Sequence, residues 1–281
     1  MTAVQRRRFS VRLGIADNAD GTLYEGVPDH LLRPLQQWVY EWAKGAEGYI
    51  GEIVCLRLRI TVPEKTNAAW CLSQQKDMAL LDAVDELLAI PFELGLASQT
   101  KVYPLSLLLE NAGSAYRVAD NSGGLELRVT PGVSEALRQT VDDAAAANSV
   151  GSAADHLTAA WQAAYRLHPD PVRAYSEAIK AVECAAHSVI QPNHARATLG
   201  TMLGEIGNAR AKFRTAVSTP AGGDPIAPVE AMMRALWDGQ TSRHGKQTAT
   251  VPETLEAARA GVHLAAALVQ WFASGVVIRT P

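Results

Sequence analysis

Alternation of apolar and polar residues at every second position stops at Val129, and nothing after it restores a strand period. A strand buries one face at period two, whereas a helix repeats at three and four residues, so this change of period divides the architectures open to the chain. Before Val129 both periods occur; from Ala153 onward the pattern is helical. The expectation is therefore an α+β region over 1–150 and an all-helical region over 151–281, with Asn148-Ser149-Val150-Gly151-Ser152 as the boundary. A chain of 281 residues is long enough for two domains.

In the first region Phe9 to Ile15 alternates like a strand and Asn18-Ala19-Asp20-Gly21 is a turn cluster. Asp29 is placed to cap a helix whose Leu31, Leu32, Leu35, Trp38, Val39 and Trp42 share a face, stopped by Lys44-Gly45. Val54, Leu56, Leu58, Ile60 and Val62 alternate with polar partners and predict a half-buried strand ended by Pro63. Helices follow over Gln75–Ile90 and Leu105–Asn111. Ala115–Val118 and Leu125–Val129 flank Asp120-Asn121-Ser122-Gly123-Gly124, a hairpin signature, and Val133 to Ala147 reads as a polar, Ala-rich helix.

The helical region punctuates itself. Helix Asp155–Leu167 is broken by His168-Pro169-Asp170-Pro171, where Asp170 is a natural N-cap and Pro171 a first helical residue. Val172, Tyr175, Ile179, Val182, Ala186 and Val189 then form one face. Thr198 is placed to cap a helix ending near Gly207-Asn208, Pro228 opens the next, and Pro252 opens the last, with Leu255, Val262, Ala265, Leu268, Val269 and Phe272 inward.

Composition excludes several classes. With 48% apolar and 20% charged residues the chain is globular rather than disordered. Residues 1–150 carry 14 Lys/Arg against 19 Asp/Glu and 151–281 carry 12 against 10, which permits an RNA partner for the second half without demanding one. Cys55, Cys71 and Cys184 have neither CxxC spacing nor a nearby His pair, so neither a zinc site nor a redox motif is expected, and they read as buried thiols. The basic run Gln5-Arg6-Arg7-Arg8 lacks an apolar segment behind it, and Gly261 to Ile278 is interrupted by His263, Gln270 and Ser274. A cytoplasmic protein with no signal peptide and no membrane partner is the expectation. No phosphate loop, nucleophile elbow, HExxH or GxGxxG motif occurs, and no cofactor or metal is expected.

Chemistry concentrates in the stretch Met232 to Lys246. His is the side chain that trades protons near neutral pH and Arg is a permanent cation with a fork for phosphate, so Arg243 beside His244, with Arg234 and Gln240 upstream, makes a candidate RNA-processing site. The competing reading is structural, because Gly245 can end a helix and basic residues suit a helix C-terminus. Glu183 falls on the apolar face of its helix, where a carboxylate needs a partner; Arg243, Arg234 and His187 are the candidates. The glycines of Leu199-Gly200-Thr201-Met202-Leu203-Gly204 read as close helix packing rather than a ligand loop. His156, His168, His187, His194 and His263 show no metal-ligand clustering, and Trp161, Trp237 and Trp271 read as packing between helices.

Three features together resemble the C-terminal domain of abortive-infection proteins and, more broadly, the HEPN superfamily of four- to five-helix domains. They are Glu183 in Ala178-Ile179-Lys180-Ala181-Val182-Glu183, the cap Ala197-Thr198-Leu199-Gly200, and Arg243-His244-Gly245 before a final apolar helix. The resemblance covers about Asp155 to Gly275. It implies a homodimeric, metal-independent endoribonuclease in antiphage or toxin-type defence, with His244 moving the proton and Arg243 or Arg234 stabilising the phosphate. It equally admits a catalytically inactive, dimeric interaction module. The family separates its Arg and His by four to six residues, whereas the positions five to seven before His244 are Gly239, Asp238 and Trp237. A homodimer through the helical half is expected from the resemblance and from the wide apolar face of Gly261 to Phe272.

Overall fold

The computed structural model describes residues 23–45, 49–95, 99–147, 152–242 and 250–280. Eleven helices and four three-residue strands lie among them, in two compact units, Met1–Arg128 and Val129–Pro281.

In the first unit α1 (Asp29–Gly45) buries Leu31, Leu35, Trp38, Val39 and Trp42, the face its periodicity predicts. Asp29 is the first helical residue rather than the cap before it, an acid where the positive helix end favours one. The expected strand at Val54–Val62 is instead α2 (Ile50–Arg57), followed by a turn in which Arg59 has φ 56°. Leu56, an inward residue of the strand reading, is 77% exposed. Packing decides between the two periods. Gly51 lets α2 lie against Ala43 and Ala68, while Arg57 reaches Glu86 and Glu93.

Helices α3 (Ala68–Ser73), α4 (Asp77–Glu93) and α5 (Gln99–Asn111) complete the helical part. The hairpin is where the sequence places it: β1 (Tyr116–Val118) pairs antiparallel with β2 (Leu125–Leu127), Arg117 opposite Glu126. Asp85 of α4 accepts a hydrogen bond from the Leu125 N–H at 2.5 Å and fixes the turn. A side chain at Gly124 would strike that carboxylate. The described part of this unit is thus helical with one small hairpin, and the strand expected at Phe9–Ile15 lies outside the described residues.

The second unit begins earlier than the polar stretch at 148–152 suggests. Helix α6 (Pro131–Ala146) packs on α7 (Ala153–Tyr165) and on the last helix, so it belongs with the bundle that follows. Gln270 donates to Asp143 at 2.9 Å and fastens it there. The centre is a mutually packed trio: α7, α8 (Pro171–Ile190) and α11 (Leu255–Ala273). Their contact faces are small: Ala160 and Ala164, then Ala174, Ala178, Ala181 and Ala185, then Ala258 and Ala265 are all fully buried. Small residues let helix axes approach closely, and the larger Leu157, Val182, Val262, Leu268 and Val269 fill the remaining space. The apolar face of Gly261 to Phe272 is consumed by this packing and therefore gives no argument for a second copy of the chain.

Around the trio sit α9 (Leu199–Asn208), against α8, and α10 (Ala227–Gly239), against α9 and α11. One departure from all-helix appears. Strand β3 (Phe213–Thr215) pairs antiparallel with β4 (Val277–Arg279), bringing the end of the chain back to the α9–α10 connection. No described helix is long and apolar enough to cross a membrane.

Candidate functional site

The caps fix the site's framework. Asp170 accepts from the Arg173 N–H at 3.0 Å ahead of Pro171, starting α8 where expected. Thr198 and Thr201 form a reciprocal capping box on α9, with the Thr198 N–H donating to Thr201 Oγ1 at 2.9 Å and the Thr201 N–H to Thr198 Oγ1 at 3.4 Å. A helix start leaves four N–H groups without partners, and this box settles only one of them besides the cap's own amide.

Glu183 supplies another acceptor. From α8 it reaches the N-terminus of α9, where its Oε1 accepts from the Leu199 N–H at 2.7 Å. Half-buried, it therefore satisfies a backbone donor and sits at the positive end of a helix. Two of the basic partners expected for it bond elsewhere. Arg234 is exposed and donates to Glu230 at 2.9 Å, and His187 meets the His194 carbonyl at 3.0 Å. Arg243 and His244 lie outside the described residues. Because the Leu199 donor would otherwise be left on a partly buried helix end, Glu183→Ala is expected to cost about 1.5–3 kcal/mol. Glu183→Gln, which keeps an acceptor, should recover most of that. Urea unfolding of the three proteins checks both values, and an unchanged midpoint in Glu183→Ala would remove the capping role.

Alpha-10 is held by two glycine contacts. A side chain at Gly200 would collide with the Trp237 ring, and one at Gly239 would run into the Tyr175 hydroxyl. Gly200 is thus a packing residue and Trp237 an inter-helix one, as the sequence suggests. Tyr175 is buried between α8, α10 and α11; burial pushes its phenol up, and the carboxylates of Glu253 and Asp238 add to the effect.

Past Gly239 the chain is gripped again. Gln240, expected to support the site, follows α10 half-buried, and its side chain has no hydrogen-bond partner among the described residues. Thr241 Oγ1 donates to the Val251 carbonyl at 2.6 Å. Glu253, 5% exposed, accepts at one oxygen from both the Ser242 N–H and the Ser242 hydroxyl, each at 2.9 Å. These three bonds tie the residues just before segment 243–249 to those just after it. Glu253 was not among the residues singled out from sequence, because its role depends on Ser242, eleven positions away.

Comparison with known protein families, curated proteins and solved structures finds no match to this chain. The site's reading therefore rests on its own residues. Among the described residues no three His, Cys, Asp or Glu side chains gather as a metal site would require.

Proposed function

We propose that the second unit is a HEPN-type endoribonuclease domain of an RNA-directed defence protein, with His244 as its proton-transfer group and Arg243 as the cation at the phosphate. The observation that carries the reading is the pairing of a proton-trading His244 with the permanent cation Arg243, in the pattern of the resemblance. The bonds from Thr241 to Val251 and from Ser242 to Glu253 support it by joining the described residues on either side of 243–249. The helical bundle and the Glu183 contact to α9 are compatible with the same reading. Arg234, already paired with Glu230, is not assigned to the phosphate.

In this reaction a ribose 2′-hydroxyl attacks the adjacent phosphorus and gives up its proton to a base. The 5′-oxygen leaves with a proton, producing a 2′,3′-cyclic phosphate and a 5′-hydroxyl. Arg243 stabilises charge on the non-bridging oxygens. The test is incubation of the full chain with total cellular RNA in EDTA. Cleavage leaving 2′,3′-cyclic phosphate ends is expected; intact RNA, or cleavage that EDTA removes, overturns the proposal.

The commitment of Arg234 to Glu230, together with the departure from the family's Arg–His spacing, favours a second reading, an inactive interaction module. The homodimer belongs to both readings and rests on the resemblance alone.

A further inference from the structure

On α11, four positions apart and hence on one face, stand Arg259 and His263, and both meet the end of α7. The Arg259 guanidinium lies over the Tyr165 ring, 4.9 Å from its centroid, and its Nε donates to the Ala164 carbonyl at 3.3 Å. Tyr165 is stacked on Trp161 with ring centroids 4.1 Å apart, and both rings are buried. The Tyr165 hydroxyl is 2.8 Å from His263 Nε2.

Two consequences follow from the chemistry. The Tyr165 ring and the Nε bond hold the Arg259 guanidinium at the end of α7, while its two terminal nitrogens have no carboxylate among the described residues, although Glu256 is only three positions away. That is a tethered fork whose bidentate edge is uncommitted among the described residues, a geometry that suits an oxyanion. At His263, burial pushes the imidazole pKa down, and at Tyr165 it pushes the phenol up, outweighing the nearby Arg259. Either the phenol O–H or Nε2–H can donate in the bond between them; with the phenol donating, the ring proton sits on Nδ1 as a second donor. At the same end of α7, Arg166 Nε is buried without a partner among the described residues. Cations here also suit the negative end of α7.

We propose that Arg259 and His263, set on one face of α11 against Tyr165, form a binding site for a phosphate group. It does not rest on the His244 reading and stands or falls separately. The phosphate is carried either by a nucleic-acid backbone or by a small phosphorylated molecule, and the donors recognise the same oxygens in both.

The test uses the full chain titrated with inorganic phosphate, uridine monophosphate and an eight-residue oligouridylate, followed by calorimetry and by imidazole nitrogen resonances. Arg259→Gln is expected to weaken whichever probe binds by about tenfold or more. Tyr165→Phe, which keeps the stacked ring, should redistribute the His263 proton between its two nitrogens and weaken binding severalfold. Tighter binding of the oligonucleotide than of the mononucleotide, with a salt dependence that falls by about one ion in Arg259→Gln, identifies a backbone phosphate. Equal binding of the two identifies a small phosphorylated ligand. Binding unchanged in both variants, or no binding of any probe by wild type, overturns the site. Should Arg259→Gln fail to fold, Arg259→Lys, which keeps charge but loses the planar fork, takes its place with the same expected direction.

Discussion

His244→Ala is expected to abolish RNA cleavage while leaving the thermal unfolding profile of the protein unchanged. A positioned proton-transfer group accounts for about 100- to 10,000-fold in rate, so its loss takes a modest nuclease below detection. The fold should tolerate the change because the bonds of Thr241 to Val251 and of Ser242 to Glu253 are independent of the side chain at 244. Arg243→Ala removes charge stabilisation and should cost about 100- to 1,000-fold, again with an unchanged fold. A structural role makes the opposite pattern. If Arg243 and His244 have only a structural role, both substitutions lower stability slightly and leave cleavage at wild-type level. RNA cleavage by His244→Ala equal to wild type would therefore end the catalytic assignment and leave the interaction-module reading standing.

The parts of this fold legible in sequence are those decided by residues close together in the chain. Asp170 before Pro171 and Thr198 before Leu199 are caps because the donors they satisfy lie three residues on, and the Tyr116–Leu127 hairpin is set by the turn between its strands. Segment 50–62 shows the limit. Its apolar residues fit both periods, and the choice of helix comes from Ala43, Ala68, Glu86 and Glu93, none of them local. The boundary fails for the same reason: α6 looks like a polar helix closing the first region, yet its partners are α7 and α11.

Site residues divide along the same line. Glu183 stands out because a carboxylate on an apolar helix face is conspicuous, but the identity of its partner is not written there. The N-terminus of α9 answers part of that electrostatic need, and Arg243, the first basic candidate, lies outside the described residues. Glu253 carries no such mark. Between Pro252 and Thr254 it reads as one more acid near a helix start, where acids are common, and only the return of the chain to Ser242 gives it a function. The Arg259–Tyr165–His263 group is assembled from α7 and α11, almost a hundred residues apart, and each member alone is an ordinary helix residue.

Phe213→Ala is expected to be the most destabilising single substitution considered for the second unit, at about 3–5 kcal/mol. Phe213 is fully buried at the start of β3, a strand of three residues that cannot hold itself together by backbone bonds alone. Its ring also seats the Arg279 guanidinium, 5.3 Å from the centroid, which in turn donates to the Ile190 carbonyl at 2.6 Å and to Glu205 at 2.8 Å. Removing the ring thus empties a cavity and loosens the arginine that joins β4 to α8 and α9. In a unit of this size the loss corresponds to a fall in Tm of roughly 10 °C, readable by scanning calorimetry or circular dichroism. Phe213→Leu, which refills most of the volume without the aromatic face, should fall between wild type and alanine. A Phe213→Ala protein that melts with wild type would mean that the ribbon contributes nothing to the bundle, and that contacts such as those of Glu183, Trp237 and Tyr175 suffice to position α9 and α10.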